Sequence, residues 1–151
     1  MIIIGIDPGI ARCGYGLINT DSPQPFMTCG IITTASILCL EDRLHLLGQD
    51  LEVIIQAHQP DHAVVEKIFF GNNRKTAMVT AQARGVILYM LRHHHVPIES
   101  LTPLQIKSRL TGYGGADKTQ VQNIVTRRLS LTTAPQPDDA ADALAAALSA
   151  S

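Results

Sequence analysis

This chain has no tryptophan, and its aromatic side chains number three phenylalanines and three tyrosines. Cysteine is equally sparse. Cys13, Cys29 and Cys39 are odd in number and include no Cys-x-x-Cys pair, which argues against a disulfide framework and fits small, reduced core residues of a cytoplasmic protein. Long apolar runs are absent too: the opening Met1-Ile2-Ile3-Ile4-Gly5-Ile6 stops at Asp7, far too short for a signal peptide or a membrane span. The eleven glycines and eight prolines are scattered, so no stretch reads as a disordered linker, and no internal repeat is visible. What is present is 151 residues of 46% hydrophobic content, enough for one compact domain, residues 1–151, with a core of its own.

Strong net charge is also missing. A formal charge of −1 lacks the basic excess usual in proteins that grip nucleic acid. The distribution is uneven, however. From Lys67 to Arg128 there are ten lysines and arginines against Glu99 and Asp117 alone, a local balance of +8. The remainder of the chain is acidic. A basic stretch beside an acidic pocket suits a metal-dependent nuclease, and an ordinary solvated surface accounts for the same composition equally well.

Hydrophobic periodicity predicts a mixed architecture. Residues 2–7, 13–19 and 26–33 read as strands separated by turn chemistry, Asp7-Pro8-Gly9 and Asp21-Ser22-Pro23-Gln24-Pro25, and such short connections favour an antiparallel meander. Leu40, Leu44, Leu47, Leu51 and Ile54 recur at helical spacing over about 40–58, and Pro60 ends that helix. A buried strand from His62 ends at Glu66. A long helix over about 73–93 and a short strand over 97–101 come next. Thr102-Pro103 opens another helix as an N-cap followed by proline, and Asp117 caps the next one. An alanine-rich helix over 138–149 closes the chain. The expected fold is α/β: a mixed five-stranded sheet, its first three strands antiparallel, flanked by helices.

Four carboxylates stand out. Asp7 and Glu66 each terminate an apolar strand, where a charge is costly unless it is paired or metal-bound. Asp139 and Asp142 lie three apart and share a helix face. Convergence of these acids would create repulsion that hard divalent cations relieve, and two such ions suffice for phosphodiester hydrolysis. Each residue also has a plainer role as turn former, salt-bridged strand end or helix-dipole partner. Spacing alone leaves both readings open. Asp138 is expected as the N-cap of the last helix because it follows Pro137. Lys107 and Lys118 offer point charges to a phosphate, or are ordinary surface lysines. Gly112, Gly114 and Gly115 either admit a phosphate to backbone amides or form a turn. His93-His94-His95 sits at a helix end with its rings pointing apart, which makes a poor chelator.

Several blocks together resemble the RuvC family of the RNase H-like superfamily. They are Gly5-Ile6-Asp7-Pro8-Gly9 with Gly14-Tyr15-Gly16, Val65-Glu66-Lys67-Ile68-Phe69, and Gln82-Ala83-Arg84-Gly85. Lys107, then Gly112 through Lys118-Thr119-Gln120-Val121-Gln122, and Asp139-Ala140-Ala141-Asp142-Ala143-Leu144 complete the set. They cover nearly the whole chain in the family's order. The resemblance implies a single RNase H-like nuclease domain that resolves four-way Holliday junctions in DNA recombination and repair. It places the metal-binding acids at Asp7, Glu66, Asp139 and Asp142. It implies Mg²⁺, with Mn²⁺ as a substitute, in two ions per subunit. Lys107 and Lys118 would stand near the scissile phosphate, Phe69 would stack on an unpaired junction base, and Arg74 and Arg84 would contact DNA. A C2 homodimer is implied by the two-fold symmetric substrate as well as by the family, as is a branch-migration helicase complex of the RuvA and RuvB type as partner. The helix over about 73–93, with Ala77, Met78, Ala81 and Val86, is expected to supply part of the dimer face. No membrane association and a cytoplasmic location are expected. Two rivals share features with this reading. A sugar-kinase or actin-like ATPase also opens on Gly-Ile-Asp-x-Gly but needs a second such domain and motif, for which 151 residues leave no room. The other is a junction-binding or RNA-directed relative of the same fold; the presence of all four acids argues against the non-catalytic form and leaves an RNA substrate open.

Overall fold

The computed structural model describes residues 1–68 and 74–150, apart from the side chains of residues 74 and 75. Strands β1 (Ile2–Asp7), β2 (Arg12–Asn19) and β3 (Phe26–Thr33) are followed by helix α1 (Leu40–His58), β4 (His62–Glu66), α2 (Arg74–His93) and β5 (Ile98–Leu101). Helices α3 (Pro103–Thr111), α4 (Lys118–Arg128) and α5 (Asp138–Leu148) complete the chain. The five strands form one sheet in the order β3-β2-β1-β4-β5. β1, β2 and β3 make the expected antiparallel meander, while β4 and β5 add to β1 in parallel.

Strand alternation divides the core between the two faces. Ile4 and Ile6 of β1 and Ala63 and Val65 of β4 join Leu47, Leu51 and Ile55 of α1 and Ala83, Ile87 and Leu91 of α2. Ile3 and Val64 point to the other face and pack with α3, α4 and α5 through Ile106, Val121, Val125 and Leu144. Because side chains alternate with a period of two, Asp7 falls on the face of Ile3, and Glu66 on that of Val64. Both therefore lie at strand ends on the α5 side.

Three glycines let α5 come unusually close. A Cβ at Gly5 would lie 2.0 Å from the Ala143 carbonyl oxygen, one at Gly14 would lie 2.0 Å from that of Asp139, and one at Gly16 would lie 2.7 Å from Leu144 Cγ. Gly5 pairs with Gly16 and Asp7 with Gly14 across the β1–β2 ladder, so the three form one flat patch. The alanines of α5, Ala140, Ala143 and Ala147, are fully buried. Small residues on both surfaces bring helix backbone onto sheet backbone.

Two helix starts follow the expected chemistry. Thr102 and Asp117 each form a complete capping box, with Gln105 and Gln120 respectively. Two local expectations need correction. Pro137, not Asp138, is the N-cap of α5, with no side-chain cap hydrogen bond. Asp138 is the first helical residue, and its carboxylate turns instead to Lys118 and Gln122. On α1, Leu47, Leu51 and Ile55 are buried, and Leu44 and Ile54 of the expected stripe are half-buried against the same core. Cys39 is exposed just before α1, whereas Cys13 is buried; all three cysteines are free.

The close approach is testable. Gly14→Ala must displace α5 backbone that cannot yield as a flexible side chain would. The expected cost is about 1–3 kcal/mol or more, read as a fall in Tm of roughly 2–4 °C per kcal/mol for a domain of this size. An unchanged thermal transition would contradict the packing described.

Candidate active site

Adjacent parallel strands place Asp7 and Glu66 side by side, one position beyond the Ile6–Val65 pair. α5 lies over them and carries Asp139 and Asp142 on its first two turns. A recess of about 190 Å³ opens here, lined by Glu66, Pro103, Ile106, Lys107, Lys118, Val121, Asp142 and Ala145. The C-terminal ends of parallel strands, where the chain direction in the sheet changes, are the usual location of ligand sites in such folds.

Burial dominates the electrostatics. The Asp7 carboxyl is pushed up to about 7, first by desolvation and then by the negative charges of Asp142 and Asp139. Glu66 is also raised to about 7, by desolvation and then by Asp7 and Asp142. Asp142 is raised chiefly by desolvation, against the opposing pull of Lys118. Among the described residues, neither the Asp7 nor the Glu66 carboxylate has a hydrogen-bond or ion-pair partner. Acids in these surroundings are uncomfortable as anions and would gain from a cation.

Two cations of the chain already lean on the rim. Arg12 Nη2 stands 2.7 Å from Asp139 Oδ2. Lys118 Nζ stands 3.0 Å from Asp138 Oδ2 and 3.5 Å from Asp142 Oδ2. These bonds draw Asp139 and Asp142 toward the edge. In this arrangement no three carboxylate, imidazole or thiolate groups of the described residues converge closely enough to hold one ion. Asp7 nevertheless feels the charges of Asp142 and Asp139, and Glu66 those of Asp7 and Asp142, and the oxygen donors of these acids suit a hard divalent cation.

Lys107 lines the recess and lowers the Glu66 pKa by its charge, so both predicted lysines come to the site. Arg84 reaches it from behind. Its Nε donates to the Glu66 main-chain oxygen at 3.1 Å and its Nη2 to Ser100 Oγ at 2.7 Å, tying α2 to the ends of β4 and β5. Phe69 lies outside the described residues, as does the side chain of Arg74. The histidines are elsewhere: His94 Nε2 meets Glu52 Oε1 at 3.2 Å, and His93 stacks on Tyr89. Arg12 is the residue that sequence reasoning passed over. Its signal was strand parity, since it shares a face with Gly14 and Gly16 and so points toward α5.

The family profile described as crossover junction endodeoxyribonuclease RuvC matches residues 3–150. The chain is 50% identical over 149 residues to the crossover junction endodeoxyribonuclease RuvC of Prochlorococcus marinus (strain NATL1A), covering 98% of this chain and 96% of that one. It is 46% identical over 146 residues to the protein of the same name from Roseiflexus sp. (strain RS-1), covering 96% and 87%. Among solved structures it is similar to Thermus thermophilus RuvC in complex with Holliday junction substrate, with a TM-score of 0.92, 29% identity, and coverage of 99% of this chain and 92% of that one.

The raised carboxyls carry a sign that can be measured. Asp7 has a folded value of about 7 against an ordinary value of 3.8, so the native state holds its proton more tightly than the unfolded state does. The stability that this proton confers is present below the ordinary value and is lost as pH rises through about 7. In metal-free protein, Asp7→Asn should therefore leave Tm near that of the wild type at about pH 4 and raise it at about pH 8. Saturating Mg²⁺ should raise the wild-type Tm at the higher pH and have less effect on the variant. Equal Tm differences at both pH values, measured by calorimetry, would contradict the desolvated site.

Proposed function

The chain belongs to the crossover junction endodeoxyribonuclease RuvC family, and on that premise we propose that it resolves four-way DNA junctions by hydrolysing phosphodiesters at the recess beside Asp7 and Glu66. The observation that supports this most is the pair of desolvated carboxylates at neighbouring strand ends, with Asp142 and two lysines lining the recess beside Glu66 and the charges of Asp142 and Asp139 acting on Asp7. A surface built only for phosphate would carry cations alone. This one presents acids at its floor and bases at its rim.

Asp7, Glu66, Asp139 and Asp142 would hold divalent cations, Mg²⁺ in the cell with Mn²⁺ as a substitute, two per subunit. Cations held there would supply Lewis-acid activation of the attacking water and neutralisation of charge at the scissile phosphate. The protein's own share is position and charge. Arg84, through the Glu66 carbonyl and Ser100, holds the β4 end in place. Lys107 and Lys118 take phosphate oxygens, Lys118 exchanging its bonds to Asp138 and Asp142 for the DNA backbone. Arg12, now 2.7 Å from Asp139 Oδ2, would have to release that carboxylate for it to serve as a metal ligand. Phe69 and Arg74, just before and at the start of α2, are assigned to the junction strands, and Arg84 adds its positive charge behind them. The large basic stretch gives the affinity that a net charge of −1 conceals.

Junction resolution needs two matched cuts, so one site per chain calls for a C2 homodimer. The outward face of α2 suits that role, with Met78 at 66% and Tyr89 at 65% exposure and Gly85 open to solvent between them. Ala77, in contrast, is buried in its own subunit and leaves the proposed face. A branch-migration helicase complex of the RuvA and RuvB type would deliver the junctions. No helix among the described residues is long and apolar enough to cross a membrane, and the work is assigned to the cytoplasm.

Incubation of the protein with a mobile synthetic four-way junction and Mg²⁺ tests the central assignment. Wild type should give paired, symmetric nicks, and Asp7→Asn should bind the junction yet cut it slower by on the order of 10⁴-fold. Wild-type cutting rates from that variant would sink the assignment. For the dimer, sedimentation should show two subunits in wild type and one in Tyr89→Glu. A wild-type monomer at micromolar concentration would exclude the α2 interface.

A further inference from the structure

The loop between α3 and α4 carries a feature that none of the roles above uses. Tyr113 is 69% exposed, yet its backbone is firmly held. Its N–H donates to Thr111 Oγ1 at 3.0 Å, and its carbonyl accepts from the same hydroxyl at 2.8 Å and from the Ala116 N–H at 3.2 Å. Thr111 Oγ1 also approaches the Lys107 carbonyl at 2.9 Å, so the loop is fastened to the helix that carries Lys107. Gly112 ends α3 in the left-handed region, φ 78°, where glycine is the residue without strain.

The ring itself rests on backbone. A Cβ at Gly115 would lie 2.5 Å from both Tyr113 Cζ and Tyr113 Oη, so the missing side chain at Gly115 is what lets one side of the ring settle against the chain. Gly114 packs against the Leu104 carbonyl oxygen, folding the loop back to the start of α3, where Pro103 lines the recess. Leu104 is itself 59% exposed. An exposed aromatic on the α3–α4 loop and an exposed aliphatic side chain at the start of α3 thus belong to the segment that carries Lys107 and leads to Lys118. In a chain with only three tyrosines, an exposed ring held on a glycine shelf, on the loop that joins the helix of Lys107 to the helix that Lys118 opens, has the make-up of a stacking platform for nucleic acid.

We propose that Tyr113 stacks on a base of the junction strand that the recess cuts, adding a base contact on the α3–α4 side of the site. The idea rests on the junction-resolving reading and deepens it. Lys107 and Lys118 meet the backbone phosphates on either side of the loop, and the ring meets the base between them. Stacking of this kind tolerates any base, so Tyr113 contributes to holding an opened strand and not to reading its sequence.

The test combines proximity with affinity. In the Asp7→Asn background, which keeps the DNA intact, junctions carrying 5-iododeoxyuridine at successive positions beside the cut are irradiated, and the attached peptide is identified by mass spectrometry. Attachment to Tyr113 at one or two positions is expected. In parallel, Tyr113→Ala should weaken junction binding by about 5- to 100-fold, the loss of one base–aromatic stack, while Tyr113→Phe binds as wild type and both variants keep the wild-type Tm. Unchanged binding by Tyr113→Ala, or attachment only at other residues, overturns the proposal while junction cutting by wild type still stands. A wild-type protein that neither binds nor cuts junctions overturns both readings together.

Discussion

Backbone contact between α5 and the β1–β2 pair is the constraint on which the rest of the molecule depends. Gly5, Gly14 and Gly16 clear a patch of sheet, and the buried alanines of α5 settle onto it. Gly14 faces Asp139 across that seam and Asp7 along the strand ladder. The spacing that closes the packing therefore also sets the distance between the acids of the sheet and those of the helix. A larger side chain anywhere on the patch would open the core and the site together, because close-packed interiors transmit such strain.

Charge placement follows from that geometry. Helix α5 over the strand ends shields Asp7 and Glu66 from water, and their pKa values rise to about 7 as a result. Left unneutralised, such acids weaken the fold. The chain offers Arg12 and Lys118 as counter-charges, but both stand at the rim, on Asp139 and on Asp138 and Asp142. The floor is left to other cations. An almost neutral molecule can thus combine an acidic pocket with a basic border, and net charge is a poor guide to what such a protein binds.

Much of this was legible in the sequence. The strand meander and the two helix caps follow from local rules of period, turn and cap, and those rules do not depend on distant residues, whereas the parallel pairing of β4 with β1 joins segments about 59 residues apart. Asp7 and Glu66 were legible for a related reason, since a charge at the end of an apolar strand is conspicuous. Other features depend on contacts between distant segments and could not be read locally. Gly14 looks like any strand glycine until α5 lies against it. Arg12 looks like a turn residue until Asp139 comes within reach. Arg84, expected among the DNA contacts, has a guanidinium engaged with Glu66 and Ser100, which only the packing of α2 behind β4 and β5 reveals. Asp138 followed the usual preference for aspartate at an N-cap, but Lys118, brought in from α4, gives its carboxylate a stronger partner one position inside the helix.

The most direct measurement of the account is an anomalous-scattering map from crystals of the protein soaked in Mn²⁺. Metal peaks are expected in the recess among Asp7, Glu66 and Asp142, with Asp139 turned from Arg12 toward the ion. Peaks confined to the His93–His95 run, or a recess without metal at saturating Mn²⁺, would contradict it.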